Sequence, residues 1–387
     1  LGTWLNWRVV ARRLRIYSEM AGNALTMPAF FEHRFDDGSR LLRIISALFI
    51  LLFFLFYTAS GLVAGGKLFN TVFNLPYEWA VAVGAVAIVL YTMLGGFLAV
   101  SWTDLVQGLL MAAALVLVPV MVIHQLGGWT PTAEIMHQVN PQLIDFFTDN
   151  EGNTLGVIAI LSLLGWGLGY FGQPHILARF KAVRASREIA AARRIAVSWT
   201  AITLLGAMLV GFAGIAYLDT PLTGADSEKV FMQLVAAIFN PVVAGILLAA
   251  ILAAIMSTAD SQLLVASSAL AEDFYKALFR QEAGQVELVR IGRLTVILIA
   301  AIAFVLALDA NSKVLDMVAY AWAGFGAAFG PTLILALYWP RMNRNVALAG
   351  IITGGFTVVS LKQLNVGWFD LYEIVTGFIA SFLSILL

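Results

Sequence analysis

Apolar residues come in long blocks along this chain, and the blocks repeat at the length that crosses a bilayer core, about 20 residues of helix. Ten such blocks are predicted, at roughly 43–66, 78–97, 104–126, 156–176, 193–217, 241–268, 291–308, 314–338, 346–364 and from 369 onward. The block from 241 is longer than one crossing and is expected to continue as helix beyond the lipid. The polar segments between blocks are short, so no soluble domain is expected. Within 127–155 the run "PTAEIMHQVNPQLIDFF" reads as a short helix at the interface.

One run departs from the pattern. "LLGWGLGYFGQPHILARF", residues 163–180, is apolar enough to span, yet four of the eight residues from Gly165 to Gly172 are glycine and Pro174 follows. Glycine lowers the cost of unwinding and proline removes an amide donor. Broken helices survive at membrane depth where they line a cavity or are buried in protein, and transporters build mid-membrane sites from them. Trp166, Tyr170 and Pro174 recur every four residues, one face if the run is helical. Glycine for close packing, with the aromatics in an interfacial belt, accounts for the same residues equally well.

Basic residues orient the blocks. Of the 23 Lys and Arg, 19 fall in loops around 8–43, 179–194, 276–293 and 341–344, whereas the alternate loops hold only Lys67, Lys229, Lys313 and Lys362. The first set is therefore cytoplasmic. Only the short turn near 98–104 lacks a basic residue. His175 and Arg179 approach the cytoplasmic end of their span, where snorkelling is the simpler account.

Composition removes several function classes. The chain is 61% hydrophobic and 12% charged, against roughly 25% charged in soluble domains. Net charge is zero, which leaves no polybasic case for nucleic acid. Cysteine is absent, so disulfides, thiolate metal sites and cysteine nucleophiles are excluded. No Ser/His/Asp set, phosphate loop or dinucleotide fingerprint is present, and an enzyme is not expected. The start "LGTWLNWRVVARRLRIYSE" has the wrong charge order for a signal peptide. It reads as the end of a span already under way, and "GFIASFLSILL" stops inside another. The chain is expected to be a piece cut within the membrane at both ends.

Carboxylates inside spans cost about 2.5–3.5 kcal/mol each and are functional candidates by default. Asp104 opens one span in "GGFLAVSWTDLVQ"; Asp260 lies in "AAILAAIMSTADSQLLVASS" beside Ser257, Thr258 and Ser261. Residues 257, 260 and 261 share a helix face. Hydroxyl and carboxylate oxygens are hard ligands, suited to alkali cations. Serine back-bonding to the preceding turn explains the hydroxyls alone but not a charge. Asp104 reads equally well as a helix-start carboxylate facing water. Both carboxylates fall toward the cytoplasmic side, where they can approach one another. A third small-residue run, "AYAWAGFGAAFGP" at 319–331, is assigned to close helix packing.

These phrases, with "ALTMPAFFEHRF" and "ILAAIMSTADSQLLVASSALAEDFYK", resemble the sodium:solute symporter family in the same order from residue 1 to about 380. "GWGLGYFGQPHILARF" points to its proline-carrying branch. The resemblance implies an all-α polytopic membrane protein with a leucine-transporter-like inverted five-plus-five repeat, truncated, and additional C-terminal helices. It implies one transmembrane domain over 1–387: a span end and cytoplasmic loop at 1–42, core helices at 43–338, peripheral helices at 339–387. It further implies sodium-coupled uptake of L-proline by alternating access in the bacterial cytoplasmic membrane. Partners are then proline, Na+ and the lipid bilayer, with no nucleic acid and no obligatory protein partner. Another small solute, or a symporter-like sensor domain, is the alternative. Carried over, the substrate residues are Tyr57, Trp166, Tyr170, Gln173 and Pro174. The sodium ligands are the Ala254 carbonyl with Ser257 and Thr258. Asp104, Asp260 and Ser261 match a second cation site of some members, although well-known proline carriers have serine at position 260. The family's first core helix precedes residue 1 and completes the sodium shell, so the chain alone is not expected to transport.

Overall fold

A computed structural model describes residues 1–24, 26–94, 97–149, 151–364 and 371–387, and secondary structure among them is helical apart from one isolated bridge pair, Thr148 with Thr154. Three contiguous helical segments open the chain, Gly2–Asn6, Trp7–Ala11 and Arg12–Met20, followed by Met27–Arg34. The span helices then follow in order: α1 Leu41–Phe73, α2 Tyr77–Leu94, α3 Phe97–Gln125, α4 Val157–Gly165, α5 Pro174–Ala182, α6 Ile189–Tyr217, α7 Pro241–Ser268, α8 Gln285–Leu306, α9 Val314–Tyr338, α10 Arg344–Leu364 and α11 Glu373–Leu386.

Among the described residues, seven helices are long and apolar enough to cross a membrane, and the bent pair α4–α5 makes an eighth. Two shorter apolar helices, α2 and α11, occupy the other expected blocks. Parts of the expected 78–97 and 369-onward spans lie outside the described residues. α1 runs 33 residues, seven past the predicted end, and α7 continues as a π-helix, Ala269–Lys276. The expected interfacial helix is Trp129–Val139.

Local chemistry sets the helix starts. Asn240 accepts from the amides of Val242 and Val243 with Pro241 in the first turn of α7, and Thr26 accepts from Ala29 with Pro28 in the first turn of its helix. Large apolar side chains on α3 and α6, such as Leu105, Leu109, Leu204 and Leu205, are exposed. That is the surface a lipid-facing helix presents. α9 is the reverse: every residue from Tyr320 to Leu333 is buried. Its glycines admit neighbouring side chains. A Cβ on Gly324 would sit 2.1 Å from the Phe53 ring of α1, and one on Gly330 would sit 2.6 Å from Phe378 of α11. The packing role predicted for 319–331 is what the structure shows.

Candidate functional site

The glycine run from Gly165 breaks its helix. α4 passes into a 3-10 segment, Trp166–Phe171, and α5 restarts at Pro174, with a bend of 44° between the two halves. A 3-10 turn holds three residues against the 3.6 of an α-helix, so Trp166, Tyr170 and Pro174 do not keep one face. Trp166 lies between two rings in near-parallel stacks, Trp322 of α9 at 5.7 Å and Tyr372 at 6.0 Å. Tyr170 meets Trp322 edge-on at 5.0 Å. Tyr57 lies near enough to interact with Tyr170 and Tyr372, and its ring also stands edge-on to His175 at 6.0 Å, the residue that follows Pro174.

Side chains satisfy the carbonyls that the break exposes, as a low-dielectric interior requires. The Trp322 indole N–H donates to the Trp166 carbonyl at 2.9 Å, and the Asn6 amide donates to that of Tyr170 at 2.7 Å. Gln173 is fully buried, and its amide nitrogen donates to the carbonyls of Gly169 (3.1 Å) and Trp322 (3.3 Å). Gln173 is thus a brace between the broken helix and α9. Neither Trp322 nor Tyr372 was picked out as a site residue in the sequence. An indole set among alanines and glycines was the available signal for the first.

On α7 the Ser257 hydroxyl donates to the Ala254 carbonyl at 3.2 Å, and Ser261 donates to the Ser257 carbonyl at 2.9 Å. This is the back-bonding weighed against a ligand role. Thr258 is half-buried on the same turn. Asp260 is fully buried: one carboxylate oxygen accepts from the Ser261 amide at 3.0 Å, and the other has no protein partner. Arg179 of α5 donates to Asp104 of α3 at 2.5 Å and to Ser261 at 2.9 Å. The Arg179 side chain is half exposed, as snorkelling predicts, and it also takes protein partners. It joins three spans, and it brings Asp104 to the neighbourhood of Ser261 and Asp260 as the sequence anticipated.

Two cavities flank this region. One of 510 Å³ faces the extracytoplasmic half, lined by Lys67, Glu228, Ile251 and Ala254 among others. The other, of 380 Å³, faces the cytoplasmic half, lined by Pro174, His175, Arg179, Ser261 and Asp273 among others. Each has a buried ion pair in its wall. Outside, Lys67 is 4% exposed, pairs with Glu228 at 2.5 Å and donates to the Ser312 carbonyl at 2.9 Å. Glu228 also accepts from the first amides of α9, Val314 and Leu315. Inside, Arg43 donates to the fully buried Asp273 at 2.8 Å and to Glu32 at 2.9 Å, and Thr26 donates to Asp273 at 2.9 Å. Removing one partner of such a pair costs about 3–5 kcal/mol.

Below the inner cavity, the loop carboxylate of Asp37 accepts from Ser39 and the Leu42 amide and pairs with Arg344 of α10. Burial pushes its pKa up. The Ser39 hydroxyl, the Leu42 amide and Arg344 outweigh that and hold it below the usual carboxylate range.

Residues 1–354 match the model of the sodium:solute symporter family. The chain belongs to that family. It is 53% identical to the sodium/proline symporter of Salmonella typhimurium, covering 100% of this chain and 77% of that protein. The sodium/proline symporter of Escherichia coli is also 53% identical, with 100% and 76% covered. A high-affinity proline transporter of Bacillus subtilis is 48% identical, with 100% and 80% covered. Among solved structures, a substrate-bound outward-open state of a Na+-coupled sialic acid symporter matches with a TM-score of 0.76 at 18% identity, covering 98% of this chain and 79% of that one. The symporter fold is therefore the leucine-transporter-like one implied by the sequence phrases. The protein is a multi-pass membrane transporter of the bacterial cytoplasmic membrane, not an enzyme.

Proposed function

We propose that this family member takes up L-proline coupled to sodium, by alternating access. One observation carries the reading. Ala254 lines the outer cavity and Ser261, seven residues further along α7, lines the inner one. Seven residues of helix rise about 10 Å, so a short stretch of oxygen-bearing helix separates the two sides. Sodium and proline names recur among relatives at 44–53% identity and supply the chemistry.

The Ala254 carbonyl and the hydroxyls of Ser257 and Thr258 would hold sodium. They are hard oxygens, and two of them already lie 3.2 Å apart. Asp104, Asp260 and Ser261 would hold a second cation, with the partnerless oxygens of both carboxylates as ligands. That site is in part taken by Arg179, which must turn aside for a cation to enter. Trp166, Tyr170, Tyr57, Gln173 and Pro174 form the substrate wall in this reading: the aromatics give flat faces to a pyrrolidine ring, and the broken segment gives them room to rearrange. Sodium and proline each bind one state preferentially, so each raises the affinity for the other. The paired charges at Lys67–Glu228 and Arg43–Asp273 would then open in alternation.

The test is uptake by the intact protein in liposomes, with and without an inward sodium gradient, across proline and a panel of amino acids, carboxylates and sugars. Proline accumulation that requires the sodium gradient is the expected result. Proline uptake indifferent to sodium, or selective uptake of another solute, overturns it.

A further inference from the structure

We infer that Trp322 of α9 is a positioning residue for the substrate wall, holding the broken helix in register and transmitting the movement of α9 to Trp166 and Tyr170. The inference rests on the substrate-wall reading above. It adds a residue that sequence reasoning had assigned to packing.

Three contacts meet in this one side chain. Its N–H donates to the carbonyl of Trp166, the first residue of the 3-10 segment. Its ring stacks on Trp166 with a 16° interplanar angle and meets Tyr170 at 87°, so both candidate wall residues pack on one indole. Its own carbonyl accepts from Gln173, on the far side of the break. The indole is 6% exposed and fits against Gly169: a Cβ there would lie 1.8 Å from the indole nitrogen. Packing alone needs the ring but not the N–H. Here the donor meets a carbonyl in the 3-10 segment that breaks the span, and its loss leaves a buried acceptor unpaired.

The helix carrying Trp322 begins at Val314 and Leu315, whose amides bind Glu228, the partner of Lys67. A continuous helix, exposed at Leu315 and buried from Tyr320 onward, thus runs from the outer ion pair to the Trp166 carbonyl. Opening that pair displaces the α9 start, and Trp322 is the point where the displacement reaches the broken segment.

The chain contributes no cysteine of its own, so in an intact protein with any cysteine outside this chain replaced by serine, a single cysteine reports the segment directly. In the intact protein, Leu168→Cys is labelled with a maleimide with and without Trp322→Phe, which keeps an aromatic ring and removes the donor. Ser198→Cys on α6 is the reference for an unaltered fold. The expected result is labelling at residue 168 about fivefold faster in the Trp322→Phe background, with the rate at 198 unchanged. Gly169→Ala, which pushes the indole away, should give the same acceleration. Unchanged labelling at 168 in both variants overturns the inference, whatever solute the protein carries. In liposomes Trp322→Phe should raise the KM for proline about threefold to tenfold and leave sodium activation within twofold. A sodium shift as large as the proline shift would make the residue a general structural one and also overturn it. Failure of the wild-type protein to import proline would count against the substrate reading alone, because the labelling result decides the positioning role separately.

Discussion

Two facing segments of this transporter use the same residues and end in opposite structures. Residues 165–174 and 319–331 both mix glycine with aromatics and carry a proline, yet the first is broken into a 3-10 turn with a 44° bend and the second is an uninterrupted helix. Glycine content does not decide the outcome. In α9 the glycines receive other helices' side chains, and the surrounding pressure keeps the helix wound despite Pro331. In the other segment the carbonyls are taken by side-chain donors, Trp322 and Asn6 from outside it and Gln173 from its own end. A helix breaks stably in the membrane where foreign donors replace its own amides.

The largest expected effect comes from closing the gap between the two segments. A Cβ at Gly172 would lie 2.0 Å from the Phe325 carbonyl oxygen, which is backbone and cannot swing aside. Gly172→Val should destabilise the protein by about 3 kcal/mol, seen as loss of folded protein and a lower melting temperature in detergent. Gly324→Ala in the continuous segment should cost less, about 1–2 kcal/mol, because the atoms it meets belong to the Phe53 side chain. A stability loss at Gly324 as large as that at Gly172 would contradict the distinction.

Next in size is a cation variant on α7, a third small-residue helix that stays wound. Ser257→Ala should raise the sodium concentration for half-maximal uptake about fivefold, the scale of one oxygen contact, with protein abundance unchanged. Equal sodium activation would remove Ser257 from the ion site. At the cytoplasmic surface, Asp37→Asn should lower stability by about 1 kcal/mol at neutral pH. Asp37 has a depressed pKa in the fold, so its contribution is complete above the ordinary carboxylate pKa, about 3.9, and is lost as pH falls through the lower folded value. Melting curves of wild type and variant should therefore converge in acid, and a constant gap would refute the charge argument. The smallest effect is at Gly245, where nothing lies within 4 Å of an added Cβ. Gly245→Ala should be neutral or stabilise α7 by up to about 1 kcal/mol, through helix propensity alone.

Much of this architecture was legible before the coordinates. Apolar block length reports span position directly, so among the described residues the ten expected segments fall on helices, with α7 continuing past the lipid as expected and α1 longer than expected because continuing a helix past the lipid needs no change of composition. The break was visible as a glycine run but balanced between packing and cavity, since glycine serves both. What holds the break in place is distant in sequence. The donors Asn6 and Trp322 lie more than 150 residues from the carbonyls they satisfy. Arg179 was read incompletely for the same reason: its position near a span end suggests snorkelling, which its half-exposed side chain fits, but only the approach of α3 and α7 reveals Asp104 and Ser261 as its partners. Tyr372 precedes α11, in a stretch whose sequence gave no reason to place it on the face of Trp166.

The claim at the centre of the account is that the broken segment is the wall that meets the solute. Equilibrium binding of radiolabelled proline to the purified intact protein in saturating sodium, wild type against Trp166→Ala, addresses it most directly. The account predicts proline affinity weaker by about tenfold, the scale of one lost aromatic contact of roughly 1.4 kcal/mol, with sodium still required for what binding remains. Wild-type proline affinity in the Trp166→Ala protein would contradict it.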